Sequence, residues 1–120
     1  MRLEEETVRE AFDLKDLLMG MNSGGIEAPR ILLATERKSD TEITVRWKRP
    51  KTCGYPDACY HYADTTEQED TFLLEDGALV INGSRDALIC DDSPEFLAPV
   101  EAFCKKWGLD FPGKGYGYQA

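Results

Sequence analysis

Histidine is nearly missing from the chain, since His61 is the only one among 120 residues. This scarcity narrows the enzyme mechanisms open to the protein, because histidine is the commonest general acid or base. Long apolar runs are missing as well: the longest uninterrupted ones hold four residues, as in Ile31–Ala34 and Ala78–Ile81, and fall far short of the ~20 residues that a membrane-spanning helix needs. The first residues show no basic stretch followed by an apolar run, so no secretory signal is expected. We therefore expect a cytoplasmic protein that does not bind membranes and whose four cysteines are thiols.

Positive charge is also in short supply. The chain carries 14 Lys and Arg against 23 Asp and Glu, which gives a formal net charge of −9 and a pI of about 4.6. This balance argues against a protein that wraps duplex DNA or covers an anionic membrane, because both partners are polyanions. The length fits one domain, and the 42% apolar share is enough for a core.

Local patterns predict a helix near each end of the chain. Thr7-Val8-Arg9-Glu10 has the spacing of a capping box, which indicates a helix over residues 7–19. Ser93-Pro94-Glu95 is typical of a second helix start, with serine as the cap and proline in the first turn. We expect Gly108 to end that helix and Pro99 to kink or restart it, because proline lacks the N–H that a helix uses.

Between the two helices the pattern is that of antiparallel strands. Residues 30–37 and 42–49 predict a hairpin, because apolar and polar side chains alternate along the second segment. Asp76-Gly77 and Asn82-Gly83 are pairs that favour two-residue hairpin turns, so a three-stranded meander is expected over 71–75, 78–81 and 85–90. The sequence therefore predicts a single α+β domain, with an N-terminal and a C-terminal helix packed on one face of an antiparallel sheet and a Gly/Tyr-rich extension at 109–120.

Cysteine and histidine provide two hypotheses about chemistry. If their segment is extended, Cys59 and His61 are expected on the same side of it, which makes them candidates for a nucleophile and its base. The same two residues, with Cys53 and with Cys90 or Cys104, form a sulfur–nitrogen set of the kind that binds zinc. The five residues between Cys53 and Cys59 exceed the usual spacing of zinc ligands. We therefore favour a protein without catalytic residues, metal or cofactor.

The charges are segregated along the chain. Residues 30–51 hold seven basic and three acidic side chains, a net +4, whereas the other residues hold seven basic and 20 acidic ones, a net −13. The basic stretch is either a solvated hairpin face with Trp47 in the core, or a docking surface for a small anion or a nucleotide. The candidate ligand-binding residues are Arg46, Trp47, Lys48, Arg49, Lys51, Tyr55, Tyr60 and Tyr62.

The acidic remainder supports a different hypothesis, a non-enzymatic interaction module that binds a basic protein partner. Acid-rich surfaces compete for grooves that bind nucleic acids, because they present a similar density of negative charge. In size and acidity the chain resembles small accessory proteins of phages and mobile elements, many of which act as inhibitors by surface mimicry. The apolar face of the first helix also allows a homo-oligomer. The candidate partner-binding residues are Glu10, Asp13, Asp16, Asp64, Glu67, Glu69 and Asp70.

Overall fold

The computed structural model describes residues 2–22, 30–49 and 67–112. Helix α1 (Glu5–Asn22) is followed by four strands and by helix α2 (Pro94–Trp107). The strands are β1 (Ile31–Arg37), β2 (Glu42–Lys48), β3 (Gln68–Glu75) and β4 (Ala78–Ile81). They form one antiparallel sheet in the order β1-β2-β3-β4. The predicted α+β fold is confirmed, with one helix before the sheet and one after it.

Helix α1 begins two residues before the predicted start. Glu5 and Glu6 occupy its first turn, where negative charge interacts favourably with the helix dipole. Leu3 and Val8 flank this turn and are 2% and 0% exposed, and they occupy the positions of a hydrophobic staple. Thr7 is therefore buried inside the first turn and is not the capping residue that its spacing with Glu10 predicted.

The core lies between the helices and one face of the sheet. Alternate residues of β2 and β3 point inward, as a period of two requires. Trp47, which is 6% exposed, belongs to this core, so its side chain is not on an open face of the hairpin. The least exposed large side chains are Leu3, Val8, Phe12, Leu18, Ile43, Val45, Phe72 and Val100.

Both predicted two-residue turns are present. Asp76-Gly77 has φ angles of 51° and 80°, and Asn82-Gly83 has φ angles of 52° and 83°, the left-handed conformation that these residue types favour. The predicted third strand of the meander over 85–90 is wrong. Only one bridge forms, between Ile81 and Ser84, after which the Ile89 N–H donates to the Asp86 carbonyl and closes a further turn. Strand β4 is consequently an edge strand.

Helix α2 ends where the sequence predicts. Gly108 has a φ of 68°, and its N–H donates to the Lys105 carbonyl, while the Leu109 N–H donates to the Cys104 carbonyl at 2.8 Å. This pair of bonds is a Schellman motif, which requires a left-handed residue after the helix. The helix runs through Pro99 as one continuous element, so the restart expected there does not occur.

Candidate functional site

A groove of about 500 Å³ runs between the two helices. Helix α1 lines it with Glu10, Asp13, Leu14 and Leu17, and helix α2 with Pro99, Ala102, Phe103 and Lys106. Each set has the spacing i, i+3, i+4 and i+7, which places four side chains on one face of a helix. The groove is therefore bordered by one continuous face of each helix.

The floor of the groove is apolar and part of its rim is an exposed apolar side chain. Phe103 is 5% exposed and belongs to the core, and Leu14 packs against the same core. Leu17, by contrast, is 57% exposed, and Met21 one turn further along α1 is 39% exposed. Leu17 is the most exposed large apolar side chain in the described part of the chain. It lies on the same face of α1 as the acidic residues Glu10 and Asp13.

One acidic residue at the groove is paired and another is not. The ammonium of Lys106 lies 2.6 Å from Oε1 of Glu10 and joins the two helices. The hydrogen bond from Lys106 lowers the pKa of Glu10. The carboxylate of Asp13, an exposed residue, forms no ion pair or hydrogen bond within residues 2–22, 30–49 and 67–112. The groove therefore combines a free carboxylate with an apolar surface.

Two of the predicted partner-binding residues, Asp16 and Asp70, form ion pairs with Arg30; Asp70 is buried and Asp16 is partly buried. Arg30 precedes β1 and donates from Nε to Oδ1 of Asp16 at 2.7 Å and from Nη1 to Oδ2 of Asp70 at 3.0 Å. A third donor of the same guanidinium reaches the Phe12 carbonyl at 3.2 Å. The guanidinium carbon also lies 3.8 Å from the centre of the Phe12 ring, a cation–π contact. Asp16 and Asp70 are therefore held by Arg30 and do not form an acidic surface.

A turn residue extends this buried cluster. The amide nitrogen of Asn82 donates to Oδ1 of Asp70 at 3.0 Å, and its oxygen accepts the Thr71 N–H at 2.9 Å. Asn82 is thus both the left-handed residue of its turn and a hydrogen-bond partner of a buried carboxylate. The cluster connects α1, the start of β1, β3 and the turn after β4.

The sheet separates the basic residues that the sequence groups together. Arg46 is exposed and pairs with Glu67 at 3.0 Å, and it lies opposite Glu69 in the register of β2 with β3. Trp47 points to the opposite face, into the core, and the guanidinium carbon of Arg49 lies 5.5 Å from its ring centre. Lys48 lies on the same face as Arg46, since side chains alternate along the strand. Lys51, Tyr55, Tyr60 and Tyr62 lie outside the described residues.

Three of the candidate nucleophile and metal-binding residues, Cys53, Cys59 and His61, lie outside the described residues. The candidate partner-binding residue Asp64 lies outside them as well. Within the described ranges no group of three potential metal ligands occurs. Cys90 is half-buried, and burial raises its pKa. Cys104 is buried, and burial raises its pKa to about 11. Neither thiol has the lowered pKa that a nucleophilic cysteine needs.

Comparison of the chain with protein-family models, with curated proteins and with solved structures finds no match. Neither α1 nor α2 has the length and apolar character needed to cross a membrane, and these are the helices of the described part.

Proposed function

We propose that the protein is a non-enzymatic docking module of the cytoplasm, which binds a basic segment of a protein partner in the groove between α1 and α2. The observation that carries the proposal is the position of Leu17. It is 57% exposed beside a groove whose floor is the buried Phe103. Exposed apolar side chains next to a concave apolar surface are typical of sites that bind proteins.

The negative charge of the protein favours a partner segment that carries positive charge. Asp13 has no partner among the groups described for the chain, and the whole protein carries a net charge of −9. A segment that places one apolar side chain in the groove and a Lys or Arg beside it satisfies both features. Complementary charge steers such a segment to the groove and disfavours acidic competitors.

Binding of this kind makes the protein an inhibitor of its partner's other interactions. Basic segments commonly bind nucleic acids or acidic protein surfaces. A segment held in the groove is unavailable to those partners. The module needs no catalytic group for this role, because occupancy of the segment is itself the effect.

A peptide-display selection tests the proposal. Random linear peptides displayed on phage are selected on the immobilised protein, and the enriched peptides are synthesised and titrated by fluorescence anisotropy. We expect enrichment of an apolar residue next to Lys or Arg. Leu17→Glu and Asp13→Lys should each weaken the enriched peptide by at least about tenfold, because a central apolar anchor and a desolvated charge carry most of the affinity of such interfaces.

Two matched variants separate the groove from the rest of the surface. Leu33→Glu is the control for Leu17→Glu, because Leu33 is an apolar residue of β1 that is 36% exposed and lies outside the groove. Glu36→Lys is the control for Asp13→Lys, because it reverses an acidic charge on β1, also outside the groove. Both controls should stay within about twofold of the unmodified protein. A selection with no enriched motif, or peptides that lose equal affinity with the control variants, would overturn the proposal.

Analytical ultracentrifugation of the purified protein measures its oligomeric state and so tests whether a second copy of the chain binds in the groove. We expect a monomer, since the groove is assigned to a basic partner. A dimer that Leu17→Glu converts to a monomer would assign the groove to a second copy of the chain and would also overturn the proposal.

A further inference from the structure

A second, smaller cavity of about 150 Å³ lies beside the buried cluster of Arg30. Three cationic side chains, Lys15, Arg30 and Arg49, line it together with the carboxylates of Asp16 and Asp70. The formal charge of these five groups is therefore +1. None of the residues that line this cavity lines the groove between α1 and α2.

The acceptors of the cavity wall are largely occupied by protein donors. Arg30 donates to Oδ1 of Asp16 and to Oδ2 of Asp70, and Asn82 donates to Oδ1 of Asp70. Of the oxygens on these two carboxylates, only Oδ2 of Asp16 has no partner among the residues described. The carboxylates are therefore committed to the fold of the protein and contribute little free acceptor capacity.

The cavity wall has hydrogen-bond donors that lack an acceptor among the described residues. The ammonium of Lys15 forms no ion pair or hydrogen bond with any residue in the described ranges. Arg49 contacts the ring of Trp47 but has no carboxylate partner in those ranges. Trp47 also lines the cavity, and its indole Nε1 is buried without a hydrogen-bond partner among the described residues. A ligand rich in acceptor atoms matches this wall, because the charged donors of Lys15 and Arg49 have no acceptor in those ranges.

The size of the cavity restricts the ligand to a compact ion. Its volume equals that of about five water molecules in the liquid, at ~30 Å³ each. Pockets for nucleotides and other ligands of that size begin near ~300 Å³. The described cavity therefore suits a tetrahedral oxyanion and is too small for a nucleotide.

We infer that this cavity is a binding site for inorganic phosphate in its hydrogen phosphate form. Arg49 and Lys15 donate to the phosphate oxygens, and the acidic O–H of the phosphate donates to Oδ2 of Asp16. Arginine and lysine are the side chains that bind phosphate most readily, as a fork and as a point charge. Sulfate carries the same charge as hydrogen phosphate but no proton at neutral pH, so it has no O–H to donate to Oδ2 of Asp16. The site therefore prefers phosphate to sulfate.

The indole N–H signal of Trp47 can report phosphate binding, because Trp47 lines the cavity. In the ¹⁵N-labelled variant Trp107→Phe, the single remaining indole N–H signal in a ¹H–¹⁵N correlation spectrum belongs to Trp47. Sodium phosphate is titrated at pH 7, with sodium chloride added to hold the ionic strength constant. We expect a saturable shift of this signal with a dissociation constant of ~1 mM or tighter. Sulfate should bind at least about tenfold more weakly, since it loses one hydrogen bond to a charged group.

Three variants in the same background locate the site. Arg49→Gln and Lys15→Gln should each weaken phosphate by at least about tenfold, because each removes a charged donor. Arg46→Gln removes the same charge from the opposite face of the hairpin, where Arg46 pairs with Glu67, and should change the affinity by less than about twofold. The amide spectrum of each variant verifies that it is folded.

Each alternative result would overturn the assignment. A shift of the Trp47 signal that sodium chloride reproduces would show general screening by ions. Sulfate that binds as tightly as phosphate would contradict the role of Asp16. An equal loss of affinity in Arg46→Gln and Arg49→Gln would place the ion outside the cavity.

Discussion

The guanidinium of Arg30 and the carboxylate of Asp70 form an ion pair inside the protein, with 3.0 Å between Nη1 and Oδ2 and with side chains that are 6% and 7% exposed. The two residues are 40 positions apart in the chain. Their pairing therefore joins the start of β1 to β3 across the sheet. Breaking such a pair by removing one partner is costly, because the remaining charge stays buried without compensation.

Asp70→Asn should lower the free energy of unfolding by about 3 kcal/mol, the lower end of the range for loss of one partner of a buried pair. The lower end applies because Asp16 still holds Arg30 at 2.7 Å. Urea unfolding followed by circular dichroism measures the change. Glu69→Gln is the matched control, since Glu69 is the exposed neighbour of Asp70 on the other face of β3, and it should stay within about 0.5 kcal/mol. Equal losses in the two variants would contradict the structural role of the pair.

The turn at Asn82 allows a test of the same cluster by pH. Asn82→Asp keeps a residue that tolerates the left-handed conformation but places a second carboxylate next to Oδ1 of Asp70, which Asn82 now contacts at 3.0 Å. The two carboxylates repel each other, and protonation of either carboxyl group would remove the repulsion between them. The resulting destabilisation, about 2 kcal/mol at pH 7, should therefore shrink as the pH falls toward 4, because protonation favours the folded form.

Asp76→Asn makes the reverse exchange at the equivalent position of the other turn. Asp76 has a φ of 51° and Asn82 a φ of 52°, so the two positions impose the same backbone demand. We expect Asp76→Asn to stay within about 0.5 kcal/mol of the unmodified protein at both pH values. A destabilisation in Asn82→Asp that does not depend on pH would show that the contact with Asp70 is not its cause.

Features encoded by neighbouring residues were predictable from the sequence. Asp76-Gly77, Asn82-Gly83 and Gly108 adopt the positive φ angles that their residue types favour. The start of the second helix at Pro94 and the strand at 42–48 also follow from local patterns. The third strand at 85–90 was not predictable in this way, because its absence depends on the turn that Asp86 and Ile89 form against the core.

Features that depend on distant residues were missed or misplaced. The acidic run that ends at Asp70 predicts an acidic surface, although the spacing of two and four residues from Phe72 and Leu74 places Asp70 on the buried face of β3. The residues next to Arg30 in the sequence do not indicate that it pairs with buried carboxylates, since its partners lie in α1 and β3. Leu17 was recognisable in principle, because it is an apolar residue on the acidic stripe of α1. The groove itself could not be predicted, since the packing of α1 against α2 creates it.

The backbone roles of two glycines predict opposite effects of the same substitution. Gly20 lies inside α1, and a Cβ placed there has no atom within 4 Å. Gly20→Ala should therefore raise the free energy of unfolding by about 0.5–1 kcal/mol, because alanine is the better helix former. Gly108→Ala should lower it by about 1–2 kcal/mol, because the φ of 68° at that position crowds a Cβ. Thermal unfolding of both variants measures the difference, and a rise in Tm for Gly108→Ala would contradict the Schellman motif.

Burial of Cys104 predicts slow alkylation of the native protein. Burial, and secondarily the charge of Asp110, raises the pKa of this thiol from an ordinary value of 9.0 to about 11. At pH 8 the thiolate is therefore ~100-fold rarer than in the unfolded chain, and the thiolate is the species that reacts with iodoacetamide. Because the folded pKa lies above the unfolded one, the contribution of the neutral thiol to stability is complete below pH 9 and is lost as the pH rises toward 11. Peptide mass spectrometry after labelling in buffer and in urea measures the rate at each cysteine. We expect Cys104 to react at least about tenfold faster in urea, whereas equal rates in the two solvents would show that the thiol is not buried.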